Sequence, residues 1–457
     1  MIDARWAALW MASAAQLMVV LDVSVVNIAL PAVGDDLRMT DAALQWVASG
    51  YALAFAGGLL VGGRLADVYG LRRVFVFGLG VFIAASVIGG LAVSGEMLIA
   101  ARVVQGVGAA IASPATFTIL TRTYPEGPVR TRAVAVWTGV SLVGGGVGNI
   151  VGGVFTEVFT WRAVLLINVP IGLAVVLCGM GVVVGNAEGG TNSRLDLVGA
   201  VLATVGLCAI TYGVSEIDIG TEWTAGGAIA LGVATLSALV AQQRHSSSAI
   251  VPVALIRNRT VVAGNLLTLL TGACFQVPIW IFLTYLMQRS MGYSPVQAGF
   301  GFLPLTFVTM VVGVHVVPRL MTRLPARHLI LAGALVAGAG FVWQASVSLD
   351  TYLTTIAGPA IIIGIGGGLM NTPLATAVTS GINPSDAGAA SGLMNTSKQC
   401  GGALGLAALG LVAGSYTDYR PAFLAMAACM GVVAAGAAVA LRPPIPRADA
   451  AAGTVDR

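Results

Sequence analysis

Gly63-Arg64-Leu65-Ala66-Asp67-Val68-Tyr69-Gly70-Leu71-Arg72-Arg73 places four charges and two glycines between two stretches, about 43 to 62 and 74 to 94, that carry no charge. Each flanking stretch has the roughly 20 apolar residues that a helix needs to cross the hydrocarbon of a bilayer. A charged two-glycine turn between two such runs is where a multi-pass membrane chain reverses at the membrane surface. The segment has an echo 255 residues later, Pro318-Arg319-Leu320-Met321-Thr322 ending in Arg327-His328. Pro114 and Pro125 are likewise matched by Pro373 and Pro384 at an offset of 259. The chain therefore reads as two related halves, the build of a carrier whose halves rock about a site at the membrane midplane.

Composition supports a membrane protein throughout. Of the 457 residues 57% are apolar and 9% charged, with a mean hydropathy of +0.91; ordinary soluble domains carry about a quarter charged residues. Apolar runs bounded by charges number fourteen: about 7–32, 43–62, 74–94, 97–121, 133–156, 163–184, 197–216, 224–241, 261–287, 298–317, 329–348, 353–379, 388–413 and 421–441. The expected fold is all-α, with fourteen transmembrane helices in a six, two, six arrangement. A first six-helix bundle would occupy 1–184, a two-helix insertion with its linkers 185–260, a second bundle 261–441 and a tail 442–457. The first run is too long for a cleavable signal and carries Asp22 where a signal core is purely apolar.

Basic residues near run ends mark the cytoplasmic side. With fourteen runs, 17 of the 23 Lys and Arg fall on the side of the two termini, four on the other (Arg38, Arg162, Arg289, Arg420), and two, Arg102 and Lys398, inside runs. Both termini are thus expected in the cytoplasm, in a multi-pass protein of the cell membrane. The net charge of +4 is too small to suggest a nucleic-acid partner. Cys178, Cys208, Cys274, Cys400 and Cys429 all lie in apolar runs without a CxxC pair, so neither a disulfide framework nor a zinc site is expected. The sequence holds no HExxH, no GxSxG, no acidic metal cluster and no P-loop. It reads as no enzyme, with no cofactor or metal, and as drawing energy from an ion gradient.

Asp22 is the one acid of nineteen placed deep in a run. An ionised carboxylate there costs several kcal/mol unless paired or protonated. By helical rise Asp22 lies roughly 15 Å and Arg102 roughly 8 Å below the same surface, a gap that a guanidinium stem covers. A carboxyl held between a partner and a proton is what proton coupling requires; the other reading is a permanent structural ion pair. Lys398, the only lysine, sits roughly 15 Å into run 13. It accepts an anionic substrate group, pairs with a helix C-terminus, or is a charge facing a water-filled cavity that holds its helix in place. Asn27, Gln105, Gln276 and Asn395 are polar groups at membrane depth, and Trp137, Trp280 and Tyr285 are aromatic candidates, for a substrate pocket.

The segment from Gly63 to Arg73 resembles the loop 2-3 signature of the major facilitator superfamily, G-x-L-a-D-r-x-G-r-k, with Val68 and Leu71 replacing two basic positions. Leu98 to Ala110 is similar to the family's fourth-span motif, whose Arg is associated with proton transfer; here it is Arg102. Leu21-Asp22-Val23-Ser24-Val25-Val26-Asn27-Ile28-Ala29-Leu30-Pro31 resembles the first-span signature of the fourteen-span drug/proton antiporter branch, with Ser24 for the usual Thr. Tyr285 to Gln288, Gly292 to Pro295, Gln297 to Gly299 and Asn395 to Gln399 extend the likeness over nearly the whole chain.

The resemblance implies a monomeric proton-coupled exporter of amphipathic drug-like compounds working by alternating access, with Gly63, Asp67, Gly70, Arg72 and Arg73 as the gating loop and Asp22 with Arg102 as the coupling pair. A metabolite exporter handling an antibiotic, siderophore or lipid is the alternative. One departure stands in run 5. The antiporter motif g-x-x-x-G-P-x-x-G-G retains Gly144, Gly148, Gly152 and Gly153, but Asn149 replaces its proline, which predicts a straighter helix. Gly144, Gly148 and Gly152 form a small-residue stripe, suited to close packing or to a specific part in enforcing exchange.

Overall fold

The computed structural model describes residues 4–125, 128–182, 196–217, 222–245, 255, 257–347, 351–379, 387–414 and 418–441. The tail beyond 441 and much of the linkers flanking the two-helix insertion lie outside the described residues. Within the described residues the regular structure is helical, with no strand. That follows from the solvent: backbone groups in hydrocarbon must be satisfied within their own segment. Seven helices make the first half: α1 (Ala4–Leu37), α2 (Asp41–Tyr69), α3 (Leu71–Gly90), α4 (Gly95–Thr123), α5 (Pro128–Val158), α6 (Trp161–Leu166) and α7 (Asn168–Val182). The insertion supplies α8 (Leu197–Ser215) and α9 (Glu222–His245). The second half holds α10 (Arg259–Phe275), α11 (Pro278–Tyr285), α12 (Pro295–Gly301), α13 (Leu303–Val311), α14 (Val317–Met321), α15 (Ala326–Ser346), α16 (Gly358–Thr379), α17 (Ala387–Ala413) and α18 (Arg420–Ala440). Three π-helical turns, Leu286–Ser290, Val312–Val316 and Leu353–Ala357, interrupt this second half.

Each of the fourteen runs read from the sequence falls on one helical passage, α6 with α7, α10 with α11 and α12 to α14 being single passages with breaks. Among the described residues nine helices are long and apolar enough to cross a membrane by themselves. The chain is a multi-pass membrane protein. The charged segment at 63–73 differs from the expected tight turn. It is helical through Tyr69, and the reversal is made by Gly70 alone, whose φ of +91° disfavours a residue with a Cβ. Elsewhere the starts follow the capping rules: Ser94 accepts from Met97 N–H, and Ser294 with Gln297 forms a reciprocal capping box beneath Pro295.

The first half packs α2 and α3 on α4 and α5 on α1; the second packs α15 on α16 and α18, and α10 on α17. Between the halves α2 lies on α17, and α8 rests against both, covering that seam. On the opposite side α5 meets α12. Gly139, Gly146 and Gly153 share one face of α5, and Gly299, Thr306 and Gly313 share one face of the facing passage, each set spaced by seven residues. Far from the termini the two faces interlock. A Cβ on Gly299 would stand 2.5 Å from the Asn149 carbonyl oxygen, and one on Gly153 would stand 2.9 Å from the Pro295 carbonyl carbon. In the middle, Gly146 faces Thr306. Towards the termini, among the described residues, Gly139 has open space and Gly313 reaches only Gly368 of its own half. The two passages diverge, so the halves form a V that opens on the terminal side.

Candidate functional site

Asp22 is fully buried on α1, and both its oxygens are engaged. Oδ2 accepts from Arg102 Nη1 at 2.5 Å; Oδ1 accepts from Gln105 Nε2 at 2.8 Å and from Asn168 Nδ2 at 2.7 Å. Arg102 on α4, 2% exposed, also donates from Nε to the Val47 carbonyl on α2 and from Nη1 to Gln105 Oε1, and its guanidinium lies 4.3 Å from the centre of the Tyr51 ring. Gln105 reaches Ser86 on α3 as well, whose hydroxyl donates to its own helix at Phe82. Five helices of the first half, α1, α2, α3, α4 and α7, thus converge on one carboxylate. A buried ion pair is tolerable only when its remaining donors and acceptors are satisfied in this way.

This cluster borders the seam between the halves. A cavity of about 10 Å³, room for no more than about one water, is lined by Asn27, Tyr51 and Arg102 of the first half and by Val277 and Gln399 of the second. Among the described residues the Tyr51 hydroxyl beside it has no hydrogen-bond partner. Beyond the cavity, away from the termini, the halves are pinned by polar contacts. Gln288 donates to the Ile28 carbonyl, Val296 N–H to Glu157, and Arg289 to Asp41 at 2.8 Å while lying 4.2 Å from the Tyr285 ring centre. The route is shut on that side.

The other expected pocket residues occupy different places. Asn27 faces the cavity; Gln276 donates to Gln399 on its second-half wall; Asn395 is exposed on α17. Trp280 is committed to bracing the break between α10 and α11, donating to the Phe275 carbonyl and stacking at 5.2 Å on Phe302. Tyr285 belongs to the closed end, and Trp137 binds Thr116 on α4 beside Phe117. Gln105, read as a pocket residue, is instead part of the charge cluster. Gly144, Gly148 and Gly152 face Leu17, Ser24 and Val25 of α1, inside the first half, whereas Gly153 faces Pro295 across the halves. Asn149, standing for the motif's proline, leaves α5 continuous and donates back to the Gly145 carbonyl. In the segment expected to form the gating loop Arg72 and Arg73 are exposed and Gly70 makes the turn; the side chain of Asp67 and the surroundings of Gly63 lie outside what is described.

Sequence comparison decides the lineage of this arrangement. The family model described as Major Facilitator Superfamily matches residues 12–406 and 266–455. The chain belongs to the major facilitator superfamily. Within this superfamily it is 50% identical over 446 residues to the cephamycin export protein of Amycolatopsis lactamdurans, covering 96% of this chain and 92% of that protein. It is 38% identical to the puromycin resistance protein of Streptomyces alboniger, over 92% of this chain and 84% of that one. The fold matches a crystal structure of a mutant nucleoside transporter NupG with a TM-score of 0.67, over 96% of this chain and 100% of that one, at 13% identity. The superfamily and these relatives are transporters, in keeping with a chain that is not an enzyme.

Sequence reasoning missed Asn168, Ser86 and Tyr51. Asn168 carried a readable signal, because it is the one carboxamide in the run from 163 to 184. Ser86 carried none: isolated serines in apolar helices commonly bond their own backbone.

Proposed function

We propose that this protein is a proton-coupled antiporter that exports an amphipathic, antibiotic-like organic compound across the cytoplasmic membrane by alternating access. Its fourteen passages all cross the bilayer, as two six-helix bundles with α8 and α9 inserted between them, and both termini face the cytoplasm. The V-shaped cleft is then open to the cytoplasm and closed outside, the posture that loads cargo for export. The protein works as a monomer, and Asp22 with Arg102 couples proton entry to release of cargo. The carrying observation is the buried carboxylate tied to five helices beside the seam, since a change in its protonation alters the bonds that hold all five. The export and resistance proteins among the relatives favour antibiotics over siderophores and lipids as the natural cargo, with a self-made antibiotic as the form that the cephamycin exporter suggests.

The test is transport into proteoliposomes under an imposed pH gradient. Substrate must accumulate against its own gradient only when ΔpH is present, and Asp22→Asn must abolish that accumulation while leaving substrate binding in place. Accumulation by Asp22→Asn at the wild-type rate and pH dependence would refute the coupling role.

A further inference from the structure

The faces of α17 divide cleanly. Thr396 bonds the Ala56 carbonyl on α2, and Ala403 packs with Ala52 and Leu53 of the same helix. Ser397 bonds Asn265 on α10, and Gly401 and Gly405 press on Leu269 and Ala273. The α8 side is taken at Cys400, one turn from the Ala403 cluster that Cys208 joins. At about 100° per residue the remaining face is that of Asn395, Lys398 and Gly402. By this spacing it faces the space between the halves, with the Lys398 backbone edging on Gly272 of α10, Gly402 against Gln276 at the closed end and Asn395 exposed at the open end.

Lys398 lies partly buried on this face and, among the described residues, makes no hydrogen bond or ion pair. The buried pair of Asp22 with Arg102 is internally neutral, and Asp22 is fully buried beneath three donors, away from a ligand's cation. Among the described residues Lys398 is thus a positive charge on this face without a protein counter-charge. An uncompensated ammonium in a partly dehydrated cleft is costly unless the occupant supplies the opposite charge.

We infer that the transported compound is an organic anion, an amphipathic carboxylate or an acid of similar charge, and that Lys398 is the residue that selects it. This rests on the transporter reading above. At about 10 Å and an effective dielectric near 20 the attraction of two unit charges is roughly twentyfold in affinity, and direct contact exceeds that.

The experiment uses the full chain in nanodiscs of zwitterionic lipid, so that no anionic headgroup competes for the site. Three fluorescent probes share one aromatic body and carry a carboxylate, its neutral methyl ester or a trimethylammonium group. Wild type binds the carboxylate at least tenfold tighter than the ester and the cation weakest. Lys398→Gln brings the carboxylate down to the ester's affinity and leaves the ester unchanged, while Lys398→Arg keeps the preference. A wild type that binds the cation tighter than the carboxylate, or an equal loss of carboxylate and ester in Lys398→Gln, overturns the inference. Transport is scored separately in proteoliposomes: a chain that binds the carboxylate selectively but does not pump it under ΔpH refutes the coupling reading and leaves the charge selection standing.

Discussion

Gly299→Ala is the substitution that should move this transporter most between its two postures. In this structure, on the proposed orientation closed to the outside, a Cβ at Gly299 would lie 2.5 Å from the Asn149 oxygen, 3.1 Å from its carbonyl carbon and 3.1 Å from Ile150 Cα. All three atoms are backbone of α5, so no rotamer change relieves the contact, and α5 and α12 must part by about 1 Å to restore ordinary separation. Overpacking of this kind costs about 1–3 kcal/mol. A posture open to the outside separates these two faces and carries none of that cost. The equilibrium should therefore shift toward outward-open by about 5- to 150-fold. Gly144→Ala is the control. Its new methyl would lie 2.7 Å from Leu17 Cδ1, the far end of a flexible side chain within the same half, so it should leave the equilibrium nearly unmoved. Pulsed electron-spin distances between labels on Phe159 and Phe300, in a cysteine-free background, read the outer separation directly. An unchanged distance distribution in Gly299→Ala, or an equal shift in Gly144→Ala, would refute the assignment of the α5–α12 contact as the outer closure.

Three further outcomes are expected. Asn168→Leu removes one of two donors to Asp22 Oδ1 and should cost about 1.5–3 kcal/mol, seen as a lower thermal unfolding midpoint in nanodiscs; a midpoint at or above wild type would show that Asn168 does not hold the carboxylate. Asp67→Asn should shift the population toward inward-open by cysteine accessibility on the terminal side, whereas Thr322→Ala, whose hydroxyl only bonds back to the Arg319 carbonyl, should not; equal effects at both loops would sink that asymmetry. Arg289→Ala removes a pair that is about one-third exposed at both partners, worth about 1 kcal/mol or less, so the closed outside should survive it; a full opening would mean that the ion pair, not the interlocked glycines, closes the molecule.

Asp22 and Arg102 were legible because each is the single charge in its run, and lone charges at membrane depth have few ways to be satisfied. Their partners were not, because a carboxamide or hydroxyl at that depth has many. Gln105 reads equally well as pocket or as cluster until α3 and α7 are seen to close around it. The break at Gln276 is marked by Pro278 and the π-turn at Val312–Val316 by Pro318, neither of which can donate to the turn preceding it, while the π-turn at Leu286–Ser290 leaves no such mark. The segment from 63 to 69 misled in the other direction. Charges and a glycine suggested a loop, yet nothing there prevents a helix from running on, and only Gly70 has a backbone angle that demands its residue type. The divergence of the halves was written in the seven-residue spacing of Gly139, Gly146 and Gly153, but spacing shows which face pairs and not how far along it the pairing holds.

The bonding of Asp22 bears on how coupling would operate. Oδ1 accepts two bonds and Oδ2 one, so a proton arriving on the free lone pair of Oδ2 puts a donor beside Arg102 and removes the charge that Arg102 pairs with. Loss of the carboxylate charge then leaves Arg102 as a buried cation held by the Val47 carbonyl, Gln105 and the Tyr51 ring alone. Removing one member of a buried pair costs about 3–5 kcal/mol, which exceeds the 1–3 kcal/mol that separates postures in typical coupled systems. The protonated cluster is thus strained in the packing seen here, and the strain sits where the first half meets the second, since Arg102 also borders the seam cavity with Val277 and Gln399. Relief requires α4 to shift relative to α1 and α2. An anion bound at Lys398 across that seam would feel the freed Arg102 charge as attraction, so in an antiport cycle the cargo must leave the opened outer side first and the proton must follow it. The order of events follows from charge alone: proton entry and cargo exit cannot be simultaneous if the cargo is an anion, whereas for a cation the same proton would expel it directly. Single-turnover measurements of probe release after a pH jump separate the two, with a lag for the carboxylate expected and immediate release of it refuting this sequence.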